Sequence, residues 1–404
     1  MIKFVYDLKN KYGYIPNLVK DTTLKPKSKE WYDLALKFPF SQENRLIKYL
    51  RLDVVPHKET LVDELDDDEV GHYMVNINFF DPVIDYFELM EPSSYKRLKE
   101  RKLVFVFYYS EGDWIDEHIA PRLEYLTDKH DIDPNFVKFV CANALAPDYG
   151  DNYIYFPDDE LYYRYLHIHK QDYVMKVNLN KRDKKFTFLN RIDKDWRRVF
   201  AASMWQHGMQ NLGYFSYCDK KYTTDYAENE TRDNIFEWET YWNDLVRLVA
   251  QFELYTPIFC DEFSDAERND HSIIHKPFFE NAYWQFIPET HFTNDTIFLT
   301  EKTFKCILNM QPFIIIGNPG SLSLLEELGY KTFDEYIYED YDSVVDNEKR
   351  LHRCFTECYQ VTNYTHESHL KVMYNLKDTL EYNQRVFLAS KKYRLNTLID
   401  NIKV

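Results

Sequence analysis

A chain of 404 residues that is 45% hydrophobic and 17% aromatic has ample material for two cores and is too apolar to be disordered. Its formal charge of −17 argues against a nucleic-acid coat, and its 9 glycines form neither GxGxxG nor GxxxxGK[ST], which argues against a glycine-loop dinucleotide or P-loop enzyme. The six cysteines are scattered without CxxC pairs and the start of the chain carries no leader pattern, so free thiols in a cytoplasmic setting are expected. No apolar run approaches the ~20 residues that span a bilayer.

Residues 1–70 read as irregular: a short MIKFVYDL run, a basic proline-containing loop, then mixed helical segments. Asp66 and Asp68 form a DxD pair, but metal-holding pairs of this kind follow a buried strand, and this one extends a charged segment; it reads as a solvated acidic turn. Strand-like runs follow at 73–80 and 103–110, with a helical stretch around 84–89 between them. Glu111 and Asp113 come directly after the second run. Carboxylates at the carboxyl end of a buried strand suit a general base, and they equally suit the start of a helix, where acids complement the dipole. A helix over 116–130 and a strand over 136–143 complete a first α/β unit.

Residues 145–172 hold many tyrosines; His167 and His169 suit aromatic packing better than chelation. The polar stretch 178–184 reads as a linker, giving domains at 1–177 and 185–343, with 344–404 as amphipathic helices bracing both. The second domain opens with a strand ending at Asn190. A helix follows, with Asp193 or Asp195 near its cap and Arg191, Arg197 and Arg198 at its opening, where guanidinium groups could chelate phosphate or equally pair with the neighbouring aspartates. A short strand at 214–218, a polar insertion at 219–240 and a helix at 241–256 come next. Cys354 and Cys358 lie four apart near His352, and the plain reading is a helix face carrying two soft residues, not half a metal site.

The stretch 285–330 is the centre of the chain. It alternates a strand-like run, a polar loop, a helix capped by Thr300, an apolar strand at 313–317 and a second helix that Ser321 can cap and Gly329 can end. A parallel sheet places ligands at the carboxyl ends of such strands. Lys302, at a helix N-terminus, suits a diphosphate site, and Glu301 beside it can accept from ribose or sugar hydroxyls; the same residues also read as no more than a charged helix start.

This stretch resembles the donor-binding block of the α1,3/α1,4-fucosyltransferases, approximately F-E-N-T, then Y-V-T-E-K, then P-hydrophobic-G-x-P-S. Glu289-Thr290, Phe298, Thr300-Glu301-Lys302, Pro312, Gly317 and Pro319 stand in matching order, without the asparagine before the threonine. FLNRIDKDWRRVF resembles the family's S-N, spacer, A-R-R segment, with Asn190, Arg197 and Arg198 aligned; YYSEGD resembles its G-E turn without the preceding glycine. The resemblance implies a GT-B-like α/β fold of two Rossmann-like domains facing a cleft, and an inverting, metal-independent glycosyltransferase. A nucleotide sugar of the GDP-fucose kind would be its co-substrate, with no further cofactor. It implies Glu111, or Asp113 beside it, as base, with Lys302 and one of the paired arginines on the diphosphate. A glycan hydroxyl is the expected acceptor. Two alternatives stay open. The lysine, asparagine, tyrosine and phenylalanine content is that of AT-rich, including viral, genomes; a viral member in host cytoplasm would have hydroxylated DNA bases as a second acceptor class. A non-catalytic binding protein on the same scaffold is the other. No feature sets an oligomeric state.

Overall fold

Runs of aromatic and β-branched residues become parallel strands in two separate sheets. The computed structural model describes residues 2–6, 49, 56–77, 85–112, 115–168, 173–218, 242–260, 273–389 and 391–404. The chain divides into one unit made of Met1–Leu161 with Ser390–Val404 and a second made of Tyr162–Ala389.

The first unit holds β1 (Ile2–Tyr6), β2 (His57–Leu61), β3 (Gly71–Ile77), β4 (Leu103–Tyr109), β5 (Val137–Cys141) and β6 (Tyr153–Tyr155) in the order β2-β1-β3-β4-β5-β6, every described pair parallel. Every residue of β4 is buried, which explains its unbroken apolar run: both faces are covered. Helices α1 (Pro92–Lys99) and α2 (Ala120–His130) belong to this unit, and α3 (Asp158–Ile168) carries the chain into the second.

The described parts of the N-terminal stretch correct the sequence reading: residues 2–6 and 57–61 are strands, and β1 pairs with β2 and β3. Its partner β2, HKETL, is an edge strand with one buried residue, so it carries no hydrophobic signal. Asp66, Asp67 and Asp68 are exposed at a turn, as expected. Of the expected 73–80 strand, residues 78–80 lie outside the described residues, as do His169 and the insertion 219–240.

The second unit is built on β7 (Lys184–Asn190), β8 (Tyr214–Tyr217), β9 (Ala282–Pro288) and β10 (Phe313–Ile316), all parallel, in the order β10-β9-β7-β8. Around them lie α4 (Asp195–Gln206), α5 (Trp242–Glu253), α6 (Lys276–Glu280), α7 (Glu301–Leu308), α8 (Ser321–Glu327), α9 (Asn347–Thr362) and α10 (His366–Ala389). Residues 178–184 are not a linker. Arg182 is buried in this unit, donating to the carbonyls of Phe279, Ala282 and Asn178 and to Gln311 Oε1, because a buried guanidinium needs several acceptors to offset its desolvation. Residues 344–404 divide between the two units. The helices α9 and α10 belong to the second unit, against β10, α4 and α7, whereas α11 (Lys391–Ile402) packs near β6 in the first, where Arg394 pairs with buried Glu160 at 2.6 Å. No described helix is long and apolar enough to cross a membrane.

Candidate functional site

The strand order of the second unit fixes where a ligand would sit. From β7 the chain passes to β8 on one side; it then crosses to β9 on the other side and continues outward to β10. The direction of winding therefore reverses between β7 and β9, and it is outside the carboxyl ends of two such adjacent parallel strands, whose connections leave in opposite directions, that open parallel sheets take their ligands. Loop 191–194 and helix α4 follow β7; loop 289–299 and helix α7 follow β9.

Thr300 caps α7 as expected, its hydroxyl accepting from the Lys302 amide at 3.4 Å. The position of this helix start is set by Glu289. Its fully buried carboxylate accepts from the Thr300 amide at 3.2 Å, from the Thr300 hydroxyl at 2.5 Å and from the Thr303 hydroxyl at 2.6 Å. Gly317, at the end of β10, permits this packing, since a Cβ there would stand 3.1 Å from the Glu289 Cβ. The Lys302 ammonium lies over the same place, 2.9 Å from the Thr300 hydroxyl, 3.3 Å from that of Thr290 and 3.6 Å from the Glu289 carboxylate, and remains 29% exposed. Phe298 is buried, its amide donating to Asn318 Oδ1 at 3.4 Å, while Asn318 donates to the Thr293 carbonyl at 2.7 Å.

The two neighbouring arginines diverge. Arg198 grips Asp193 with two donors and lies 3.3 Å from Asp195 and 3.5 Å from Glu253. Burial disfavours its charge, but the hydrogen bonds and charge of Asp193 more than restore it, raising its pKa. Arg197 is buried and donates to the carbonyls of Ile192, Pro288 and Glu289, tying the end of β9 to α4. Asn190 is buried at the end of β7, its amide donating to the Ile192 carbonyl at 3.1 Å, while its Oδ1 has no hydrogen-bond partner among the described residues. Arg191 is half-buried; desolvation lowers its pKa against the opposing influence of Cys218 and Glu301, which places Glu301 within its electrostatic reach.

Two further residues of the crevice escaped the sequence reading. Lys194, the N-cap of α4, is only 5% exposed, and His291, in the loop after β9, only 6%. Burial pushes the imidazole well below its usual pKa, and Lys194, Arg197 and Lys302 each add to that. The cations Arg191, Lys194, Arg197 and Lys302 thus gather at the ends of β7 and β9, with the carboxylates of Glu289 and Glu301 among them.

A third missed residue, Arg350 of α9, braces the loop from behind. Its guanidinium donates to the carbonyls of Phe292, Gly317 and Val344 and sits 4.3 Å over the Phe292 ring. Phe292 stacks on Trp196 at 4.8 Å, and Arg197 lies 5.0 Å from the centre of the Trp196 ring. The result is a buried four-layer pile, cation on ring on ring on cation, joining α9, the loop and α4. Burial lowers the Arg350 pKa to about 10, with Cys354 and Asp342 opposing. Arg350→Ala is expected to cost about 4 kcal/mol, because several buried carbonyls lose their donor and a cavity opens. Thermal or urea unfolding measures this, and Arg350→Lys, lacking the fork, should recover only part of it.

Helix α8 departs from expectation in its cap. Ser321 is its first residue, its hydroxyl donating to the Asn318 carbonyl; Gly320 stands at the cap with φ 81°, and the carboxylate of Asp342 accepts from the amides of Leu322 at 2.9 Å and Ser323 at 3.1 Å. Gly329, with φ 92°, ends the helix as expected.

In the first unit, Glu111 follows β4 at the carboxyl edge of the sheet and is exposed, its carbonyl accepting from the Ala142 amide at 3.0 Å. Asp113 lies outside the described residues. Among the described residues, Asp85, Glu88 and His130 are close enough together to hold a metal ion, but the Lys129 ammonium occupies the cation position, 2.7 Å from Asp85 and 2.8 Å from Glu88. Cys354 and Cys358 are both buried core thiols, and His352 is exposed.

No protein-family model matches the chain, and no curated protein matches it. Among solved structures, the α,α-trehalose 6-phosphate synthase of Burkholderia multivorans aligns over 93% of this chain and 78% of its own, at 11% identity and a TM-score of 0.38. The N-terminal domain of Candida albicans trehalose-6-phosphate phosphatase aligns over 97% and 80%, at 8% identity and a TM-score of 0.41.

Proposed function

We propose that the chain is a glycosyltransferase of the GT-B type, binding a nucleoside-diphosphate sugar at the crevice between β7 and β9 and passing the sugar to an acceptor hydroxyl with inversion. The observation that carries this reading is the convergence of cations and two helix N-termini, those of α4 and α7, at the winding reversal of a parallel sheet. The ordered likeness of Glu289 to Pro319 to the fucosyltransferase donor block supports it independently. In this scheme Lys302 and Arg191 neutralise the diphosphate as the glycosidic bond breaks, so that charge developing on the leaving group meets fixed donors and no metal is needed. Glu301 accepts from the ribose. Arg197 and Arg198, of which one was expected on the diphosphate, both take positioning roles, since carbonyls hold the first and carboxylates the second. Glu111 removes the acceptor proton, and the acceptor is a glycan hydroxyl.

Thermal unfolding in the presence of GDP, UDP, CMP and ADP and their sugars tests the donor site. A ligand at ~100 times its dissociation constant adds about 2.7 kcal/mol of folding stability, so one nucleotide and its sugar should raise Tm by several degrees. Indifference to the whole panel would overturn the reading.

A further inference from the structure

His291 is a histidine enclosed by like charge. The residues on either side of it are fixed: Arg197 donates to the Glu289 carbonyl, Lys302 to the Thr290 hydroxyl at 3.3 Å, and Phe292 lies in the stack with Trp196. Its ring packs near Phe298, 6.0 Å between centroids. The charged groups whose fields reach it are those of Lys194 and Arg197 from the start of α4 and Lys302 from α7, with Glu289, two residues before it and just after β9, 3.6 Å from Lys302. Converging cations around a buried imidazole are costly unless an anion comes to the same place.

We propose that His291 is a ligand of the donor's diphosphate, acting together with Lys194 and Lys302. This rests on the donor reading and deepens it. Neither the fold nor the fucosyltransferase-like motif requires a histidine here. Burial and the three cations disfavour the charged form of the imidazole. An arriving diphosphate reverses the local field, so the ring takes up a proton from solvent and donates a charge-assisted hydrogen bond to a phosphate oxygen. Binding and proton uptake are then one event, and affinity must rise as pH falls.

The test is calorimetric titration of the wild-type chain with GDP-fucose and with UDP-glucose, whose phosphates do not titrate near neutral pH, in two buffers of different ionisation enthalpy. The expected result is uptake of a fraction of a proton, approaching one, with the sugar nucleotide that binds, and affinity about tenfold tighter at about pH 6 than at about pH 8. His291→Gln should bind with no uptake and a flat pH profile. Because that variant could fail to fold, the same proton is also sought in the wild type by following the histidine ring resonances with and without ligand: one should move to the protonated position on binding. Binding without uptake, or uptake unchanged in His291→Gln, overturns the proposal and leaves the donor site standing. If these two and the other sugar nucleotides of the panel all fail to bind the wild type, both the donor reading and this proposal fall.

Discussion

Lys302→Ala is expected to weaken nucleotide-sugar binding about 100-fold and to lower kcat/KM by at least as much. An ammonium that donates a charge-assisted hydrogen bond to a phosphate contributes about 1.5–3 kcal/mol, and its charge is felt further at the bond that breaks. The fold should barely notice. Lys302 is 29% exposed, and Glu289 keeps its three bonds to Thr300 and Thr303 without it. A Tm within a few degrees of wild type, together with lost ligand-induced stabilisation, separates this outcome from simple unfolding. Unchanged binding and turnover would remove the diphosphate from α7.

Glu111→Gln should do the opposite: donor binding intact, turnover reduced by about 10²-fold or more, as follows from loss of a general base. Glutamine keeps the size of the side chain and cannot accept the acceptor's proton. The residue is exposed at the end of β4, so no large stability change accompanies the substitution. Single-turnover measurements with saturating donor isolate the effect on the chemical step. Full activity in the variant would move the base elsewhere, with Asp113 the next residue to replace.

The strands that were most legible are those whose residues are covered on both faces. The stretches that became β4 and β10 announce themselves because burial on both sides leaves unbroken apolar runs. The edge strand β2, which carries Lys58 and Glu59, could not. Of the candidate site, the α7 cap and Lys302 were readable because helix starts are written in adjacent residues. Arg350 was not: it meets the Phe292 carbonyl 58 positions away, and nothing local distinguishes it from a surface arginine. Asp342 likewise caps α8 from 20 residues downstream, where a nearby serine offered the simpler answer. The same limit explains Arg197 and Arg198. Neighbours in sequence, they point to different partners, one to carbonyls and one to carboxylates, and only the surroundings of each decide which it takes. Lys194 and His291 lay in plain view within the quoted motifs, but their burial is a property of the crevice and not of either motif.

The pile of Arg350, Phe292, Trp196 and Arg197 has a consequence for synthesis and for engineering. A nascent chain that has emerged only as far as residue 343 already contains every cation of the crevice, yet lacks the guanidinium that holds the Phe292 and Gly317 carbonyls. The proposed donor half is therefore not expected to be a portable module with its boundary after 343; a fragment meant to bind nucleotide should extend through α9, whose Arg350 braces the loop.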